Sequence, residues 1–430
     1  MTAAAPDLQA LRAAARTAWL YALPLIELAS TRARSLAQGL PLNTFGHRAT
    51  LADHRARAVT TPNNDTLYST AQVDLSRGPV SIAIPRTADR YFSLALMDAY
   101  TNNFAVLGTR TTGGDFAVFT LVGPNDAATG PNVVRAPTPQ VWALARVLVD
   151  GPDDLEAAKA IQGRLAIQGP AADPPGGLVD RGASWELYFA SAAKLMALNP
   201  PPVTDWAVLA RMEPLGLGDF DPARFTPAQA AAIAAGVEEA RREVRREDLG
   251  GRLLVDGWSY PPSRLGDFDQ AYDLRAAVAL AALAALPPAE AMYMRSVGDL
   301  PGGMLDGARN WRLHFAAGAL PPVDAFWSLS LYEASGDGQF FFADNRLGRY
   351  AIGDRTPGLV RNRDGSLDIW IANAPPNAER QANWLPAPSA PFALFMRAYL
   401  PRPELLDGRY RLPPIEPAGQ ARAKRPERRS

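Results

Sequence analysis

Asn63, Asn64 and Asp65 stand together in Thr61-Pro-Asn-Asn-Asp-Thr-Leu-Tyr-Ser69, the densest polar group in the chain. A carboxylate beside two amides can act as an acid or base, hold a ligand hydroxyl, or shape a turn by bonding its own backbone. The same groups could also hold a hard cation, but one carboxylate and two amides make a thin ligand set, so no metal is assigned. Asp98-Ala-Tyr100-Thr-Asn102-Asn103 is a second such group, and Arg110 follows it. Two carboxylates within reach of each other, or of one bridging water, make an acid–base pair. Asp65 and Asp98 are therefore the catalytic candidates. Asn63, Asn64, Tyr100, Asn102 and Arg110 are the groups expected to bind and orient a substrate. Arg349 and Arg355 can clamp an anionic group bidentately. The alternative for Gly353-Asp-Arg355-Thr-Pro-Gly358 is a turn in which Asp and Thr bond backbone and Arg meets a carboxylate.

Other residue types narrow the chemistry. The chain has no Cys, which removes disulfides, thiolate metal sites and a Cys nucleophile. It has three His, at 47, 54 and 314, so schemes needing several imidazoles are disfavoured. His47 lies shortly before the Asn-Asn-Asp group and is either a base or a metal ligand there, or a solvated loop residue. His54 is assigned nothing, and His314 is read as a strand-surface residue opposite Trp311, Leu313 and Phe315. Trp327, Trp370 and Trp384 are read as packing residues in preference to a sugar platform. There is no Gly-x-Ser-x-Gly elbow, Walker A loop, dinucleotide Gly fingerprint or His-Glu-x-x-His. Lys+Arg and Asp+Glu both total 44, which gives no electrostatic case for nucleic acid or an anionic membrane. The basic tail around Arg422–Arg429 is read as a frayed terminus. The apolar run Thr17–Leu28 holds Pro24 and Glu27 and is too short to span a bilayer. It is read as an amphipathic helix, and the protein as cytoplasmic.

The elements that must position these groups follow from periodicity. Residues 8–38 read as helix, broken or kinked near Pro24. Thr66–Leu75, Val80–Ile84, Tyr91–Tyr100 and Phe116–Val122 read as short strands between turn signals, the pattern of a sandwich or barrel. Between about 138 and 290 the pattern is helical. Thr226-Pro227-x-Gln229 opens one helix with a capping box, with Glu238 and Arg242 four apart and a stop at Gly250-Gly251. A second helix spans about Asp269 to Leu286. Asn310–Ala316, Phe326–Glu333, Gln339–Phe342, Leu367–Ile371 and Phe392–Tyr399 are strands again, with a hairpin turn at Asp364-Gly365. The fold class is thus mainly β with a helical middle. The divisions are an N-terminal helix plus sandwich (1–140), a helical domain (141–305), a C-terminal sandwich (306–416) and the tail (417–430).

Tyr91-Phe-Ser-Leu-Ala-Leu-Met-Asp98-Ala99 and Phe326-Trp-Ser-Leu-Ser-Leu-Tyr-Glu333-Ala334 form a weak repeat in which Ser93 matches Ser328. Alternation places Phe92, Leu94, Leu96 and Asp98 on one strand face, and Trp327, Leu329, Leu331 and Glu333 on another. A carboxylate at the end of a core face is either saturated by hydrogen bonds or opens into a pocket.

The segment Thr61–Ser69, with Arg90-Tyr91 and Asp98–Asn103, resembles domain of unknown function 1254. Gly318–Leu329, Asn345–Tyr350, Gly353–Gly358, Asp364–Ser366 and Asn383–Pro388 resemble domain of unknown function 1214. The resemblance implies an N-terminal immunoglobulin-like β-sandwich, an α-helical domain, a C-terminal jelly-roll-like β-sandwich and a homo-oligomer, with no settled reaction. The expected function is hydrolase-like acid–base chemistry on a small polar or anionic molecule. The alternative is a non-catalytic small-ligand-binding or assembly protein. The expected partner is a small-molecule ligand, with no cofactor, nucleic acid or membrane.

Overall fold

The structure, a computed structural model, describes residues 7–57, 60–173, 176, 179–246, 252–298, 305–335 and 339–418. The basic tail and the Gly250-Gly251 stop lie outside these residues. The N-terminal strands are β1 (Gly46–Arg48), β2 (Thr66–Asp74), β3 (Val80–Ile84), β4 (Phe92–Met97), β5 (Asn103–Gly108), β6 (Ala117–Val122), β7 (Val133–Arg135), β8 (Gln140–Leu148) and β9 (Ala166–Gln168). They make a five-stranded sheet, β1-β2-β8-β4-β5, and a four-stranded sheet, β7-β6-β3-β9. Leu67, Val73, Phe92, Leu94, Leu96 and Val147 of the first sheet pack against Val80, Ile82, Phe119 and Leu121 of the second. The alternation seen in the sequence drives this burial, because one face of each strand is continuously apolar.

The C-terminal sandwich is built from β10 (Leu253–Val255), β11 (Trp258–Tyr260), β12 (Ala291–Ser296), β13 (Trp311–Phe315), β14 (Val323–Ala334), β15 (Phe340–Phe341), β16 (Ala351–Gly353), β17 (Leu367–Ala372), β18 (Trp384–Pro386), β19 (Phe392–Pro401) and β20 (Ile415–Pro417). The larger sheet runs β10-β11-β12-β19-β14-β15, with β16 also on β14, and faces the sheet β18-β17-β13-β20. Met294, Trp327, Leu329, Leu331, Leu394 and Met396 meet Leu313, Phe315, Ile369 and Ile371 between them. Gly353 is required here, since a Cβ would stand 2.2 Å from the Trp327 carbonyl oxygen.

The helices are α1 (Leu8–Ala37), α2 (Leu155–Gln162), α3 (Trp185–Leu198), α4 (Trp206–Met212), α5 (Pro227–Glu243), α6 (Tyr272–Ala281) and α7 (Pro403–Leu406). α1 runs unbroken through Pro24. α5 begins at the expected capping box, and its Glu238 pairs with Arg241, not Arg242. α1 packs its apolar residues against α3, α4, α5 and α6. The helical layer is therefore assembled from the N-terminus and the middle of the chain. The boundary at residue 140 falls on the first residue of β8, the central strand of its sheet, and β10–β12, placed in the helical stretch, belong to the C-terminal sheet. β8 is buried on two faces, which removes the period-two signal that exposes a strand in sequence. Among the described residues no helix is long and apolar enough to cross a membrane.

Candidate functional site

The outer faces of the two large sheets are also covered. At one end of the N-terminal sheet, Met97, Trp142 and Leu144 pack into the helical layer. At the other end, Tyr91, Ala95 and Leu148 meet Ala291, Phe326 and Tyr399 of the C-terminal sheet. Between these apolar ends lies a band of buried polar side chains.

Register aligns Tyr68 of β2, Arg146 of β8 and Ser93 of β4 in one row across three antiparallel strands. Tyr293 of β12, Arg397 of β19 and Ser328 of β14 form the same row in the other sheet. The strands contribute Tyr, Ser and Arg in the same chain order both times, and Ser93 and Ser328 are the matched serines of the sequence repeat. The repeat is thus the visible part of two equivalent three-strand units. Both arginines are buried, Arg146 at 5 % and Arg397 at 4 % relative exposure. Each also donates to the carbonyl of a non-glycine residue with positive φ. Arg146 Nη2 reaches Ala284 O at 3.0 Å, and Arg397 Nη2 reaches Thr61 O at 3.0 Å. Ala284 has φ 69° and the β-branched Thr61 φ 49°. Such conformations cost of order 1–3 kcal/mol each and persist where the surroundings over-determine them.

The two arginines differ in charge balance. Arg397 donates to Ser330 Oγ at 2.8 Å and lies near Asp65. Arg146 has no carboxylate partner among the described residues, and its Nη1 is buried without a hydrogen bond. Its neighbours are phenols, with Tyr68 presenting its ring 5.3 Å from the guanidinium. Burial pushes the Tyr293 phenol up to about 12, against the pull of Arg146. Burial likewise holds Tyr91 and Tyr399 well above the ordinary range. These phenols stay protonated near neutrality, so no phenolate from them balances the Arg146 charge.

The Asn-Asn-Asp group reaches this band. Asn63 Oδ1 accepts from the Asp65 backbone N–H at 2.6 Å, an Asx turn, while its Nδ2 donates to Tyr399 Oη at 2.6 Å. Asp65 Oδ2 accepts from Ser328 Oγ at 2.6 Å, and Oδ1 accepts from Arg355 Nη2 at 3.2 Å. Arg355 also donates to Val149 O at 2.9 Å and lies 4.2 Å over the Phe326 ring. Asn64 stands between Asn63 and Asp65 in the chain, with its Oδ1 buried and unbonded. Arg110 is taken up by Glu290, whose two oxygens accept Arg110 Nε at 2.6 Å and Tyr91 Oη at 2.8 Å. It clamps one sandwich to the other.

The remaining expected site residues lie elsewhere. Asp65 precedes Thr66, which is level with Leu148, whereas Asp98 follows Met97, which is level with Trp142. Six residues of strand separate those levels, roughly 20 Å. The two carboxylates therefore do not form an acid–base pair. Asp98 Oδ1 accepts the backbone N–H of Tyr100 and of Asn102, each at 2.9 Å, and Asn102 Nδ2 donates to its Oδ2 at 3.0 Å. Burial raises its carboxyl, opposed by these bonds and by the nearby Arg275. Tyr100 donates to Asn199 O at 2.9 Å. Arg349 donates to the carbonyls of Gln381, Ala382 and Trp384, holding a loop. For Asp98, Asp98→Ala orphans two buried N–H groups and is expected to cost about 2–4 kcal/mol in urea unfolding. Asp98→Asn keeps an acceptor for both and is expected to cost under about 1.5 kcal/mol. Equal losses from the two changes would contradict this backbone-capping role.

Sequence reasoning passed over Tyr68, Arg146, Tyr293 and Arg397. A signal was present, since Gln140–Leu148 and Phe392–Pro401 are apolar runs each broken by a single arginine. Arginine is almost never fully buried unless paired.

Two β-sandwiches that press their large sheets together over a buried polar band, with a helical layer at one end, define a tandem β-sandwich protein. Residues 42–169 match the family described as protein of unknown function (DUF1254), and residues 290–403 match DUF1214. The chain belongs to this two-part family, as its motifs implied. The structure of the VPA0106 protein from Vibrio parahaemolyticus is similar over 95 % of this chain and 100 % of its own, with a TM-score of 0.73 and 24 % identity, a likeness of fold. An uncharacterized protein from Burkholderia cenocepacia aligns over 93 % of this chain and 86 % of its own, with a TM-score of 0.44 and 15 % identity. No curated protein matches the sequence.

Proposed function

We propose that the chain binds a small anionic molecule at Arg146, where the two sandwiches and the helical layer meet. One observation carries the reading: a buried, permanently charged guanidinium with no carboxylate partner among the described residues and an N–H group that makes no hydrogen bond. Burying such a charge costs several kcal/mol. A carboxylate ligand supplies both the missing charge and the missing acceptor, and the neutral phenols around it offer further donors. The strained residues whose carbonyls accept from the two arginines, Ala284 and Thr61, fit a site held in shape before the ligand arrives.

Hydrolase-like chemistry has narrower support. Ser328 Oγ is held by Asp65 at 2.6 Å, a hydroxyl beside a carboxylate, but the other oxygen of Asp65 is committed to Arg355 at 3.2 Å. Binding is therefore the favoured reading. On the fold, we read the first sandwich as immunoglobulin-like and the second as jelly-roll-like, in keeping with their five-plus-four and seven-plus-four strand counts.

The test is calorimetric titration of the full chain with acetate, benzoate and succinate. At least one is expected to bind the wild type and none to bind Arg146→Gln. Undiminished binding by that variant would remove the site from consideration.

A further inference from the structure

A cleft of about 200 Å³ opens in the helical layer, away from the inter-sheet band. Trp19 of α1, Arg181 and Gly182 before α3, Arg241 in the last turn of α5, Val244 and Arg245 just beyond it, and Leu280 of α6 line it. Trp19 is 2 % exposed, and its indole Nε1–H has no hydrogen-bond partner among the described residues. A buried indole N–H normally finds an acceptor, because leaving it unmet forfeits its hydration. Trp19 is not free to turn away, since it stacks on Tyr188 at 5.5 Å and its carbonyl accepts the Tyr188 hydroxyl at 2.8 Å.

The rim is cationic. Arg181 is paired with Glu27 at 2.8 Å, and Arg241 with Glu238 at 2.6 Å. Arg245 is exposed and makes no ion pair among the described residues, so within these residues the cleft keeps one uncompensated positive charge. Val244 and Leu280 supply an apolar wall. An apolar floor, one unmet N–H donor and one spare cation at the mouth are the complement of a compact apolar body carrying one carboxylate.

We propose that this cleft is a second ligand site, separate from Arg146, for a small aromatic or branched monocarboxylate. The test uses phenylacetate as the probe and phenylacetamide as its neutral counterpart, titrated into the full chain carrying Arg146→Gln so that the inter-sheet site does not contribute. Phenylacetate is expected to bind at least tenfold more tightly than the amide. Trp19→Phe, which keeps the ring and removes the donor, is expected to weaken phenylacetate by about tenfold. Arg245→Glu, at an exposed position where folding is not at stake, is expected to weaken it about fivefold or more. Absence of phenylacetate binding overturns the proposal. So does equal affinity for acid and amide, or an affinity that neither substitution moves. Because the background already lacks Arg146, failure here leaves the inter-sheet reading intact, and the reverse also holds.

Discussion

Arg146→Met is expected to leave the protein folded and within about 1 kcal/mol of wild-type stability, or above it, while abolishing any stabilisation by added carboxylate. The expectation is unusual for a buried arginine and follows from the imbalance around it. The substitution removes one hydrogen bond to Ala284 O and the contact with the Tyr68 ring. Those losses amount to about 1 kcal/mol for the bond and about 1–2 kcal/mol for the cation–π contact. Against them stands relief of a buried charge that has no carboxylate partner among the described residues, worth several kcal/mol. Methionine also fills irregular apolar space well, and the neighbouring Leu148 and Tyr293 offer it an apolar surround. A binding residue that costs stability when empty is the expected trade at a functional site. With saturating ligand at about 100 times its dissociation constant, the wild type should gain about 2.7 kcal/mol and the variant nothing. Urea unfolding with and without acetate or benzoate reads both halves. If Arg146→Met instead loses more than about 3 kcal/mol, the guanidinium is structural and the ligand reading fails.

The sequence discloses this arrangement unevenly, for physical reasons. Strands with one solvated or half-buried face, such as Val80–Ile84 and Trp311–Phe315, alternate cleanly and were legible to within a residue. β8 is pressed between layers and lacks alternation, so the strand carrying Arg146 read as part of a helical stretch. The polar clusters were visible as clusters, but their partners were not. Asp65 and Asp98 look alike in one dimension, yet six residues of strand set them at opposite ends of one sheet. The match of Ser93 with Ser328 was the one sequence trace of the paired rows. Its tyrosine and arginine companions escaped because they sit on different strands at unequal spacing, and only cross-strand register brings them level.

Asp65→Ala should be the most damaging single change in the band, costing about 3–5 kcal/mol, because it removes the negative charge around which the inter-domain contacts are arranged. Asp65 is 6 % exposed and receives Ser328 Oγ on one oxygen and Arg355 on the other, and its charge also reaches the buried Arg397. Without it, Arg397 keeps the Ser330 and Tyr332 hydroxyls and the Thr61 carbonyl, all uncharged. Arg355 keeps Val149 O, the Phe326 ring and a 3.7 Å approach to the exposed Asp150. Asp65→Asn retains an acceptor for Ser328 and should cost less, about 1–3 kcal/mol, the difference reporting on charge alone. The partners can be separated by a double-mutant cycle. Asp65→Ala with Arg355→Ala should fall short of additivity by about 1–3 kcal/mol, since removing both members no longer strands a buried ion. Because Asp65 stands in the N-terminal domain and Ser328, Arg355 and Arg397 in the C-terminal one, the loss should also loosen the two sandwiches from each other. Urea unfolding of Asp65→Ala is therefore expected to broaden or split into two steps, with the Glu290 clamp to Tyr91 and Arg110 and the arginine bonds to Thr61 O and Val149 O left to couple them. A single sharp transition at wild-type midpoint would show that Asp65 holds neither the charge cluster nor the domain interface.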